Sequence, residues 1–147
     1  VSESLQVGTY LTDDTIQKLR NMNSSQGKIA VKKFSADEII LHEGEINDTF
    51  YKIISGRALC YLNYGTDKEL VLGALKEKDT CGEISILTNE PNINTVVAFT
   101  DMLVLSVRRE DFSQFVAMNA NNAIEIMRNL SKLLKVMRVN IDLLTEE

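Results

Sequence analysis

Three kinds of hydrophobic pattern succeed one another along the chain. Near the start, Ile16, Leu19 and Met22 form a narrow apolar stripe that predicts a helix, capped at Thr12 or Asp13 and broken by "NSSQG". From Lys28 to Arg109 the pattern changes to short runs punctuated by glycine: "IAVKKF", "EIILHEGE", "TFYKIISG", "RALCYLNYG", "KELVLGALKE", "NTVVAF" and "DMLVLSVRR". In the last run Leu103, Leu105 and Val107 are set to one side, and Met102, Val104 and Ser106 to the other. Gly44, Gly56 and Gly65 stand where turns are expected. Seven or eight short strands at even spacing predict an antiparallel barrel or jelly roll, mainly β with flanking helices. Beyond them, "REDFSQFVAM" places Phe112, Phe115 and Val116 on one helical side.

A longer helix follows, from about Asn121 to Leu144. Its apolar residues Ala120, Ala123, Met127, Leu130, Leu134, Met137, Ile141 and Leu144 step 3-4-3-4-3-4-3, the spacing of a self-pairing seam. Ile124, Ile126, Leu133 and Val136 lie off that seam, leaving a second face to pack at home. A parallel homodimer through this helix is the expectation.

Composition narrows the function. At 147 residues, 44% hydrophobic and 25% charged, the chain has the size and make-up of one globular domain. A net charge of −5, with Lys32-Lys33 and Arg108-Arg109 as the only adjacent basic pairs, argues against nucleic acid binding by this chain alone. Both pairs read as solvated strand ends. Cys60 and Cys81 lack metal-ligand spacing and read as reduced, buried thiols of a cytoplasmic protein. His42 is the single histidine, which disfavours a His-based metal cluster, a Ser-His-Asp triad or a haem ligand set. No apolar run is long enough to span a membrane, and Glu69, Glu77 and Asp79 form no evident acid/base pair, so no enzyme is expected.

The order helix, glycine-punctuated jelly roll, short internal helix and long helix resembles the cyclic nucleotide-binding domain, as in the effector domains of Crp/Fnr-type transcription regulators, kinase regulatory subunits and cyclic-nucleotide-gated channels. "EIILHEGEINDTFYKIISGRALCY" resembles the family's early glycine-turn signature. "CGEISIL" resembles its phosphate-binding cassette, with Cys81 in place of the usual aromatic, and "NTVVA" its closing strand. The resemblance covers about Thr12 to Leu144. It implies a sensor of residues 1–118 followed by a dimerisation helix, 119–147, of the same domain. It also implies a cyclic nucleotide or other small effector as ligand, with DNA reached only through a helix-turn-helix domain absent from this chain. On that resemblance we expect the chain to be a fragment of a regulator; the alternative is a stand-alone fold used for dimerisation or docking.

The resemblance also implies the site. The family's short helix presents backbone N–H groups to a phosphate, its glutamate accepts from a ribose hydroxyl, and an arginine after the proline pairs with the phosphate. The residues expected at a ligand here are Gly82, Glu83, Ile84 and Ser85, then Asn92, Ile93, Asn94 and Thr95 after Pro91. Asn92 stands where the arginine belongs. Losing a buried charge-assisted contact costs about 2–4 kcal/mol, or roughly 30- to 1000-fold in affinity, and Glu83 is left without a local counter-charge. "EPNIN" also reads as an ordinary turn, with asparagine side chains bonding the backbone. The zone of the long helix that would face a purine is Leu133 to Arg138, "LLKVMR", an apolar lid without hydroxyls.

Overall fold

The computed structural model describes residues 29–145, with side chains as far as Arg138. The helix expected near Ile16 lies outside the described residues, as do the side chains of Ile141 and Leu144.

Eight antiparallel strands form two four-stranded sheets. In chain order they are β1 (Ile29–Phe34), β2 (Ile39–Leu41), β3 (Thr49–Ser55), β4 (Ala58–Leu62), β5 (Leu70–Leu75), β6 (Thr80–Cys81), β7 (Thr95–Ala98) and β8 (Met102–Arg108). One sheet runs β1-β8-β3-β6 and the other β2-β7-β4-β5, the pairing of a jelly roll. Each run read from the sequence holds a strand; β6, two residues long, has no pattern of its own.

The alternation in β8 divides the core. Met102 and Val104 point between the sheets, into a cluster with Phe34, Tyr51, Ile53, Val96 and Leu75. Leu105 and Val107 point out of the sandwich, into a second cluster with Phe50, Ile86, Phe115 and Ile126. A strand buried on both faces is thus shared by two cores, and the second core is where the helices dock.

Three helices complete the chain: α1 (Glu83–Thr88), α2 (Phe112–Met118), entered through a 3-10 turn at Arg109–Asp111, and α3 (Ala120–Thr145). Asn119 precedes α3 and its Oδ1 accepts from Asn121 N at 2.9 Å, an N-terminal cap. The first turns of α3 are tied to β3 by Lys52, whose Nζ lies 2.8 Å from Glu125 Oε2 and 3.1 Å from Asn122 Oδ1.

The two faces of α3 differ from the expected split. Ile126 is buried, and Leu133 and Val136 pack on the sandwich as expected. But Leu130, placed on the seam by its spacing, packs on the second core, and Ile124, placed off it, is exposed. The helix rotates to bury the stripe 122-126-129-133-136, which leaves Ile124, Met127 (58% exposed) and Leu134 (70% exposed) as an uncovered apolar line. Among the described residues no helix is long and apolar enough to cross a membrane.

Candidate functional site

The segment after β6 is locked by backbone geometry. Gly82 takes φ 89° at the start of α1, and a Cβ there would lie 2.6 Å from Thr49 O and 2.9 Å from Asn47 Nδ2. Only glycine fits. Its necessity arises from packing against the start of β3 and the turn before it.

At the other end of α1, Arg109 acts as a clamp. Its guanidinium donates to Ile86 O (3.0 Å), Ser85 O (3.2 Å), Asn47 O (3.0 Å) and the side chain of Asn89. A cation at a helix C-terminus also suits the helix dipole. The expectation that Arg108 and Arg109 are both solvated therefore holds for Arg108 alone, which is exposed beside Glu110 at 4.0 Å. Arg109 had no signal beyond its neighbour because the carbonyls it gathers come from two distant segments.

Between α1, β5, β6 and α3 lies a cavity of about 600 Å³. Of the expected site residues, Gly82, Glu83, Ile84, Asn92, Ile93 and Asn94 line it. Ser85 and Thr95 do not, and their hydroxyls are already engaged. Ser85 Oγ accepts from Asn47 N (2.9 Å) and donates to Glu90 O (2.7 Å), while Thr95 Oγ1 accepts from Glu43 N (3.1 Å). Asn92 is also turned to structural use. Its Nδ2 donates to His42 O at 3.0 Å, its backbone N–H to Glu45 O at 2.8 Å, and its carbonyl accepts from Gly44 N at 2.8 Å. The neutral amide at the arginine position stitches the glycine turn after β2 to the segment before β7, the backbone bonding anticipated for "EPNIN".

Glu83 is 3% exposed. Asn129 of α3 donates to its Oε1 at 2.9 Å and, from the same nitrogen, to Thr80 O at 2.6 Å. Glu83 Oε2 and Thr80 Oγ1 remain buried without a well-formed hydrogen bond. Burial holds the Glu83 carboxyl above its ordinary 4.5; bonding at its own backbone, from Asn129 and toward Thr80 works the other way, and Asp79 adds a push upward. Cys60 and Cys81 also line the cavity. Burial, reinforced by Glu83, drives the Cys60 thiol to about 12 and Cys81 well upward, so both are inert thiols.

The lid is less apolar than the sequence suggested. Leu133 and Val136 line the cavity, but so do Asn129 one turn earlier and Lys132 and Lys135 flanking them. Arg57 and Lys76 line it from the sandwich side. Four basic residues thus border the cavity from outside the cassette. Among the described residues no cluster of three or more His, Cys, Asp or Glu is arranged to hold a metal ion.

The chain is thus a jelly roll that carries a glycine-glutamate cassette over a cavity bordered by a long helix. The profile of the cyclic nucleotide-binding domain matches residues 31–119, and the chain belongs to that family. It is 25% identical over 144 residues to a cAMP-dependent protein kinase regulatory subunit of Candida albicans, covering 89% of this chain and 30% of that protein. The chain spans under a third of the length of the curated relatives it matches first. Among solved structures, the haem domain of CooA from Carboxydothermus hydrogenoformans superposes with a TM-score of 0.68 at 21% identity, covering 91% of this chain and 96% of that one. The catabolite activator protein of Thermus thermophilus does so at 0.66 and 19%, covering 95% and 62%. Identities this low establish the shared fold alone.

Proposed function

We propose that the chain is a non-enzymatic, effector-sensing regulatory domain. A small molecule enters the cavity between sandwich and α3, and its different affinity for two arrangements of that helix carries the signal. The observation that supports this is the Glu83–Asn129 bond. One carboxylate belongs both to the cavity and to the helix, and its second oxygen is buried without a well-formed hydrogen bond. The exposed line Ile124, Met127 and Leu134, together with the 3-4 spacing, favours a second copy of the chain as the partner of α3.

Two settings are supported. One is the sensor of a Crp/Fnr-type transcription regulator, which fits the likeness to the catabolite activator protein. The other is a kinase regulatory subunit with a catalytic subunit as partner, which fits the Candida albicans relative equally well. A second reading, a degenerate fold kept for dimerisation or docking, is favoured by the commitment of Asn92 to His42 O.

Thermal unfolding with cyclic AMP or cyclic GMP decides between sensing and docking. Without the cassette arginine we expect little shift at micromolar nucleotide and a clear one at millimolar, lost in Glu83→Ala. Saturation at 100 times Kd adds about 2.7 kcal/mol. No shift at millimolar levels, with hydrogen exchange in α3 unchanged, would favour docking.

A further inference from the structure

The cavity has two chemically distinct ends. Inside, Glu83 Oε2 and Thr80 Oγ1 are buried polar atoms whose mutual contact is not a well-formed hydrogen bond. Such atoms are costly unless a ligand or water satisfies them. The walls between are apolar, from Leu41, Leu72, Val96, Leu133 and Val136. Four cations, Arg57, Lys76, Lys132 and Lys135, line it against two carboxylates, Asp79 and Glu83. Asp79 Oδ2 is already used, accepting from Lys76 N at 3.0 Å. A chain of net charge −5 thus gathers a local excess of two positive charges at one cavity. Lys132 and Lys135, three residues apart, sit on one face of α3 about the lid residues Leu133 and Val136.

We propose that Lys132 and Lys135 of α3, with Arg57 and Lys76 opposite, hold the negative end of a small organic anion whose apolar body fills the cavity and whose hydrogen-bond donor meets Glu83. This deepens, and rests on, the sensing role proposed above. The anion is gripped by the moving element itself, so occupancy bears directly on α3. The cassette, with Asn92 turned to His42 O, contributes shape and the Glu83 acceptor but no cation.

Two naphthalene dyes of similar body test it: the anion 8-anilinonaphthalene-1-sulfonate and the neutral N-phenyl-1-naphthylamine. Binding is followed by fluorescence and located by amide NMR shifts at Gly82, Glu83 and Asn129. The expected result is that the sulfonate binds one per chain. It should weaken about tenfold or more in Lys132→Glu/Lys135→Glu, less in Lys132→Gln/Lys135→Gln, and not at all in the distant Lys33→Glu. Added salt weakens the sulfonate and leaves the neutral dye unaffected. If both dyes shift the cavity amides but the double variant leaves the sulfonate untouched, or weakens both dyes equally, the charge assignment is overturned while sensing stands. If neither dye moves those amides, the sensing reading itself falls.

Discussion

Replacing Arg109 with alanine removes the clamp that fixes α1 to the rest of the site. Three backbone carbonyls, those of Asn47, Ser85 and Ile86, accept from its guanidinium at 3.0–3.2 Å. A hydrogen bond from a charged donor contributes about 1.5–3 kcal/mol, and leaving an acceptor buried costs about 1–3 kcal/mol. The three bonds share one side chain and Ser85 O keeps a second donor in Asn89 N, so they do not add. Arg109 is half-buried, and water recovers part of the loss. A destabilisation of about 3 kcal/mol remains, within the range for breaking a buried polar network. With a urea m value of about 2 kcal/mol/M, the midpoint falls by about 1.5 M. Lysine, lacking the fork, retains at most part of this. Arg108→Ala, on an exposed side chain, should change stability by less than about 0.5 kcal/mol. Urea unfolding gives the midpoints, and hydrogen exchange over residues 83–88 gives the local effect. A loss below about 1 kcal/mol, with exchange in α1 unaltered, would show that the clamp is ornamental and the cassette is held by apolar packing.

Two further substitutions address the site. Gly82→Ala adds a steric conflict with Thr49 O to the cost of φ 89°, whereas Gly44→Ala at φ 86° meets nothing within 4 Å. Backbone strain of about 1–2 kcal/mol is common to both, and overpacking adds about 1–3 kcal/mol for Gly82 alone; equal melting temperatures for the two variants would contradict this. Glu83→Gln tests the raised carboxyl. Because the folded form holds its proton more tightly than the unfolded chain, Glu83 favours folding fully below about pH 4.5 and loses that contribution as pH rises through its folded value. The stability of wild type relative to Glu83→Gln should therefore decline from acid to neutral pH; a difference constant with pH would refute the assigned burial.

What could be read along the chain was local. Alternation in β8, glycine at three turns and the apolar side of α2 each depend on residues within one element, and each appears in the fold. The residues that complete the site depend on distance. Asn129 meets Glu83 across 46 positions and Arg109 meets Asn47 across 62, separations that no periodicity encodes. One trace of Asn129 was present: along 122-126-129-133-136, an asparagine interrupts the apolar face in mid-helix, where a buried amide needs a partner. The seam arithmetic hid it, because a 3-4 spacing fits more than one face of a helix and only docking on the second core decided which was buried.

The tie from Lys52 to Glu125 and Asn122 sits near the start of α3. Twenty residues separate Glu125 from Thr145 at its end, about 30 Å at 1.5 Å per residue. Pivoting by about 10° around that fixed point would carry the far tip about 5 Å, close to one helical pitch. The helix therefore has the proportions of a lever with its fulcrum at the short end: the same pivot moves Val136, at the cavity, by about 3 Å and the tip by nearly twice as much.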